Sequence, residues 1–168
     1  MLELQKVPFH VAFLDAQQVD GYAAHLARLE PAARVLRFHG QPPHRLTDDF
    51  IAAHASDALG GGAVVAGYYD GLVLRGVGEM RIHAGDPATA DVALSVEREW
   101  RGRKIGEELM GALILEARYL GIRRIVVACL RDNLVMQRLV TRFAGDLRRH
   151  NGTVLGIIER HRDLVRAA

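Results

Sequence analysis

Trp100-Arg101-Gly102-Arg103-Lys104-Ile105-Gly106 lies between two regular stretches. Before it is an extended run, Ala90-Asp91-Val92-Ala93-Leu94-Ser95-Val96. After it comes an amphipathic helix with apolar residues at Ile105, Leu109, Met110, Leu113, Ile114, Ala117 and Leu120. A strand, a basic glycine-containing turn and a helix together form a place to hold a phosphate. The turn and first helical turn aim unpaired backbone N–H groups at one spot, and the helix dipole favours an anion there. Arg101, Arg103 and Lys104 add charge that can reach further phosphates. The common nucleotide loops are excluded: the stretch is neither Gly-x-x-x-x-Gly-Lys-Ser/Thr nor Gly-x-Gly-x-x-Gly.

Working outward, residues 8–14 read as a first strand, and 20–29 as a helix capped by Asp20 and stopped before Pro31. Residues 34–38 read as a short mixed segment, followed by a Pro-rich loop. Thr47-Asp48-Asp49 opens a helix running towards Leu59, which Gly60-Gly61-Gly62 ends. Asp70-Gly71 joins strands 63–69 and 72–83, and a further turn at Gly85-Asp86-Pro87 leads into 89–96. A long helix over 106–120 closes at Gly121. Residues 122–130 form a near-continuous apolar strand, of the kind buried on both faces. Asp132 or Asn133 caps a helix to about Phe143, and Asn151-Gly152 turns a terminal hairpin. The order predicts an α+β domain, spanning residues 1–168, around a mixed, mostly antiparallel sheet flanked by helices.

Composition narrows the function. The formal charge of +2 in 168 residues is carried almost entirely by arginine, with Lys6 and Lys104 the only lysines. That excess suits a phosphorylated ligand or an acidic surface and is too diffuse for nucleic acid. The apolar runs are too short to cross a bilayer, and neither an export signal nor a membrane partner is indicated. One cysteine, Cys129, reads as a small buried hydrophobe, and the cytosol as its compartment. The eight histidines show no metal-ligand spacing. His39 and His44 flank Gly40-Gln41-Pro42-Pro43 and read as loop histidines, significant only if that loop lines a substrate channel.

The spacing of Arg101 and Gly106 resembles the acyl-CoA pyrophosphate loop of GNAT-family N-acetyltransferases, Arg/Gln-x-x-Gly-x-Gly/Ala. Three further segments are similar to the GNAT domain of bacterial protein lysine acetyltransferases: Leu29 to Phe38, Ala90 to Val96, and Leu130 to Met136. The resemblance covers about residues 20–160. It implies the GNAT fold and acetyl-CoA as acetyl donor. By that analogy Leu94, Ser95 and Val96 contact the pantetheine arm through backbone atoms. Arg101, Gly102, Arg103, Lys104, Ile105 and Gly106 hold the pyrophosphate, and Asn133 bonds the CoA arm.

Three positions depart from the pattern. Lys104 stands where the family has glycine, and a site needing positive φ strains a lysine. The family's catalytic glutamate falls on Asp91, one methylene shorter. The family's tyrosine acid falls on Val140, which leaves the acid unassigned; Tyr119 reads as packed on the long helix.

Moving an acetyl group from a thioester to an amine requires a neutral amine, a polarised carbonyl and a protonated leaving thiol. Asp91 is the first candidate base, directly or through a water. Glu79 is the reserve, although an outward, solvated glutamate is the expectation there. The resemblance favours a protein lysine as acceptor. A small amine and a non-catalytic acyl-CoA-binding module are the alternatives, and a homodimer remains open. Asp48, Asp49 and Asp57 suit either kind of acceptor.

Overall fold

The computed structural model describes residues 11–159. Its elements run β1 (Val11–Phe13), α1 (Val19–Arg28), α2 (Pro31–Arg37), α3 (Asp48–Asp57), β2 (Val64–Asp70), β3 (Val73–His83) and β4 (Asp86–Val96). They continue through α4 (Ile105–Tyr119), β5 (Arg124–Leu130), α5 (Leu134–Arg142), β6 (Asp146–His150) and β7 (Thr153–Glu159). One sheet of seven strands has the order β1-β2-β3-β4-β5-β7-β6. Every neighbouring pair is antiparallel except β4 and β5. The mixed α+β architecture expected from the sequence is present. The part of the expected first strand before Val11 lies outside the described residues.

Both faces of the sheet are covered. On one face α4 packs on β2–β4 through Ile105, Leu109, Met110 and Leu113, and the same cluster continues to Val140 of α5. Burying a Leu or Met side chain completely stabilises by about 1.5–3 kcal/mol relative to leaving it in water. Two glycines of β3 let α4 sit this close. A Cβ on Gly76 would lie 2.9 Å from Ile105 Cγ2, and one on Gly78 would lie 2.8 Å from Leu94 Cδ2 and 2.9 Å from Leu113 Cδ1. The opposite face holds α1–α3, with Tyr22, Leu26, Phe38 and Ile51 packed over Val65, Leu74 and Val77.

Local chemistry explains the boundaries. Thr47 caps α3 by accepting from the Phe50 N–H, as expected. Gly121 takes φ 78° just past α4. Two expectations are corrected at the N-terminal side. Asp20 is inside the first turn of α1 and is not its cap; Asp15 instead caps a 3-10 turn over Ala16–Gln18 that runs into α1. Residues 34–38 belong largely to α2, because Pro31 both stops α1 and serves as the preorganised first residue of the next helix. Tyr119 is not packed: it is 84% exposed.

Candidate active site

Strands β4 and β5 pair only through Thr89↔Arg124, Ala90↔Ile125 and Asp91↔Val126, and then part. Beyond that last rung β5 remains paired to β7 and β4 to β3, which opens a V in the middle of the sheet. Backbone direction alternates along a strand. The Glu97 N–H donates to Arg75 of β3, whereas the Ala88 carbonyl faces Arg123 at the start of β5. Val92, Leu94 and Val96 therefore turn their N–H and C=O groups towards the gap. Ser95, in register with Val77, turns its backbone towards β3.

The V widens into a cleft of about 590 Å³. It runs from Val92 and Ala128 near the vertex, past Leu94, Val96 and Cys129, to Arg101, Lys104 and Gly106 at the start of α4. Gly102 (φ 75°) and Lys104 (φ 64°) are both left-handed. Successive turns of that kind make a concave nest of backbone N–H groups. The N–H groups of Ile105 and Gly106, in the first turn of α4, have no intrahelical acceptor. The helix dipole adds to their pull on an anion. Lys104 thus sits in the strained conformation that its glycine-like position demands.

Each predicted site residue can now be located. Arg101 Nε donates to the Val96 carbonyl, and its Nη1 is 2.7 Å from Glu30 Oε1. That bond from Arg101 holds the Glu30 carboxyl below its ordinary value. Arg103 lies over the Trp100 ring at 4.6 Å and donates to the Glu99 carbonyl. Asn133 lines the cleft while its Oδ1 accepts from the Met136 N–H, so it is the cap of α5. Burial pushes the Cys129 thiol up, which suits the inert role expected of it.

Asp91 occupies the vertex of the V. Its side chain is 58% exposed, and Oδ2 is 2.8 Å from His83 Nε2. Glu79 differs from expectation, being 4% exposed rather than solvated. Oε2 accepts from Tyr22 at 2.5 Å and Arg37 at 2.9 Å and lies 2.8 Å from His54 Nε2, while Oε1 accepts from Arg81 at 2.6 Å. Burial pushes this carboxyl up, but His54 and Arg37 override it and hold Glu79 well below the carboxylate range. A carboxylate so saturated with donors is a poor base. Its effect is structural, tying α1, α2 and α3 to β3.

Sequence reasoning missed one polar feature of this region and left a second conditional on where its loop lies. His25 is fully buried between Ser95 Oγ at 2.9 Å and Glu97 Oε1 at 3.2 Å. Burial pushes Glu97 up, but His25, Arg28 and Arg75 bring it down to about 2. This cluster pins β4 to α1 beside the open edge. The other feature is His39, just past α2, which lines the cleft. The Pro-rich loop after it gave the only sequence signal, since His39 reaches β4 and β5 solely through tertiary packing.

Residues 26–145 match the acetyltransferase (GNAT) family. The chain belongs to that family. That family is one of acetyltransferases, and this chain carries its domain. It is 42% identical over 62 residues to Acetyltransferase Pat of Mycolicibacterium smegmatis, a stretch covering 36% of this chain and 19% of the relative. The chain thus spans about a fifth of the curated relative it matches. Among solved structures, the GNAT domain of S. lividans PAT superposes with TM-score 0.75 and 20% identity, covering 90% of each chain. PaiA N-acetyltransferase from Thermoplasma acidophilum, solved in complex with coenzyme A, gives TM-score 0.71 and 13% identity over 92% of this chain and 100% of its own.

Proposed function

We propose that this GNAT acetyltransferase transfers the acetyl group of acetyl-CoA to a protein lysine by direct attack within a ternary complex. The observation that carries the reading is the end of β4–β5 pairing at Asp91↔Val126. It frees a strand edge for an amide-bearing arm and joins it, through one cleft, to the anion-binding start of α4. Val92, Leu94 and Val96 offer backbone partners to the pantetheine arm. A backbone N–H on that edge is suited to polarising the thioester carbonyl. Arg101, Lys104 and the first N–H groups of α4 are suited to the pyrophosphate.

The exposure of Asp91 favours a surface lysine as acceptor. A small amine is better served by a closed pocket with an acidic wall, whereas Asp57, one such candidate, is engaged by Arg81 at 2.7 Å. At the vertex, Asp91 supplies negative charge that draws in the acceptor ammonium and balances the proton it gives up.

The test follows thiol release from acetyl-CoA with pooled cell proteins and, separately, with amino acids, polyamines and aminoglycosides. Release with proteins, traced by mass spectrometry to acetyl-lysine, is expected. Turnover confined to small amines replaces the acceptor, and tight CoA binding without turnover makes the chain a binding module. In an enzyme Asp91→Ala keeps CoA affinity and loses rate.

A further inference from the structure

Direct attack requires something to take a proton from the acceptor ammonium, and the cleft narrows the choice. Of its acidic residues, Glu30 is held by Arg101 at 2.7 Å and Glu107 by Arg142 at 3.0 Å, both at the α4 end. Asp91 stands at the vertex, outside the cleft lining and bound to His83. His39 remains, lining the cleft while still open to solvent.

Three observations place its imidazole at the reacting end. The His39 ring lies by the backbone carbonyl of Ala128 in the cleft that both residues line. Ala128 is two residues beyond Val126, the last paired residue of β5. The carboxylate of Asp91, on the facing strand, acts on the same ring. A neutral imidazole carries a proton on one ring nitrogen and can accept one on the other. Finally, His39 holds φ 54°, a left-handed conformation costly for a side-chain-bearing residue. Strain of that kind concentrates where geometry serves function.

We propose that His39 is the general base of this acetyltransferase, with Asp91 stabilising the imidazolium that forms. The assignment rests on the acetyl-transfer reading above. The ammonium of the acceptor gives one proton to the free ring nitrogen of His39. The neutral amine attacks the thioester carbonyl carbon, forming C–N, and the C–S bond breaks with its electron pair on sulfur. The thiolate takes the second proton from the new amide nitrogen, and the imidazolium returns its proton to water. The surrounding charges suit this cycle. Partial burial and then Arg37, on α2, push the imidazole below its ordinary value and keep it free near neutral pH. Asp91 on β4 and the Ala128 carbonyl on β5 oppose that shift and favour the protonated form once it appears. The remaining titratable neighbour lining the cleft from β5 is the Cys129 thiol, raised by burial and so uncharged.

The test compares pH–rate profiles of wild type, His39→Asn and Asp91→Asn, with acetyl-CoA and pooled cell proteins. Asparagine tolerates the left-handed backbone, so His39→Asn removes the base and keeps the turn. The wild type should lose rate along an acid limb that lies below the ordinary imidazole value of about 6.5. His39→Asn should lower kcat by roughly 10²–10³-fold. Its acid limb should vanish, with rate climbing through pH 9 as free amine accumulates, and its calorimetric Kd for CoA should be unchanged. His39→Gly should regain rate with added imidazole, which a purely structural role does not predict. Asp91→Asn should keep the limb at reduced rate. The assignment is overturned if the limb survives in His39→Asn, or if Asp91→Asn alone removes it. Absence of thiol release by the wild type overturns the acetyl-transfer reading together with it.

Discussion

Glu30 Oε1 lies 2.7 Å from Arg101 Nη1, and Arg98 approaches the same carboxylate at 3.7 Å. The arginine best placed to meet a pyrophosphate is therefore occupied by a carboxylate from the start of α2. Binding an anion at the head of α4 must draw Arg101 away from Glu30 or place negative charge beside it. Glu30→Ala should tighten CoA binding a few-fold, an effect suited to an exposed pair. Arg101→Ala should loosen it by about tenfold or more. Isothermal titration with CoA checks both, and a looser Glu30→Ala complex would refute the competition.

Lys104 carries a local strain that can be relieved. A left-handed side-chain-bearing residue costs about 1–2 kcal/mol, and glycine returns about 0.4–1 kcal/mol of that through the entropy of the unfolded chain. Lys104→Gly should then raise stability by about 0.5–1 kcal/mol. Urea unfolding measures it. A loss of stability would mean that the lysine side chain makes contacts that outweigh its backbone cost.

The packing of α4 on β3 predicts a larger effect of opposite sign. Gly78→Ala would drive a Cβ to 2.8 Å from Leu94 and 2.9 Å from Leu113. Overpacking of this kind costs about 1–3 kcal/mol. Because Leu94 borders the cleft, CoA affinity should fall together with the urea midpoint.

Acid should weaken the fold through His25, Glu97 and Glu79. Burial lowers His25 from its ordinary 6.5, and Glu97 falls from 4.5 to about 2. Each of these groups binds protons more readily in the unfolded chain, so stability rises with pH across their range. It should begin to decline below pH 6.5 and fall more steeply from pH 4.5 towards 2. Urea midpoints at pH 7, 5, 4 and 3 follow the decline, and Glu97→Gln should flatten its steep part. An unchanged midpoint down to pH 3 would contradict the burial of these pairs.

Much of the fold was legible because local signals agreed with one another. Asn151-Gly152 has the composition of its hairpin turn, and Asp70-Gly71 and Gly121 mark real boundaries. The strand–loop–helix unit around Arg101 to Gly106 was legible for the same reason. Helix α2 was hidden because Pro31 carries two meanings, the end of one helix and the first residue of another. The burial of Glu79 was not legible: an alternating strand presents a polar residue identically whether its face meets water or α1–α3. His39 and the His25–Ser95–Glu97 cluster arise from contacts across 70 residues or between distant strands, which no local pattern encodes.

The central claim, that acetyl-CoA lies in the V between β4 and β5, is tested most directly by amide chemical shifts of isotope-labelled protein titrated with acetyl-CoA. The largest changes should fall on Val92, Leu94, Val96, Gly106 and Ala128, with a smaller response at His39. Changes confined to the separate basic hollow formed by Arg131, Arg149 and His150 would contradict the account.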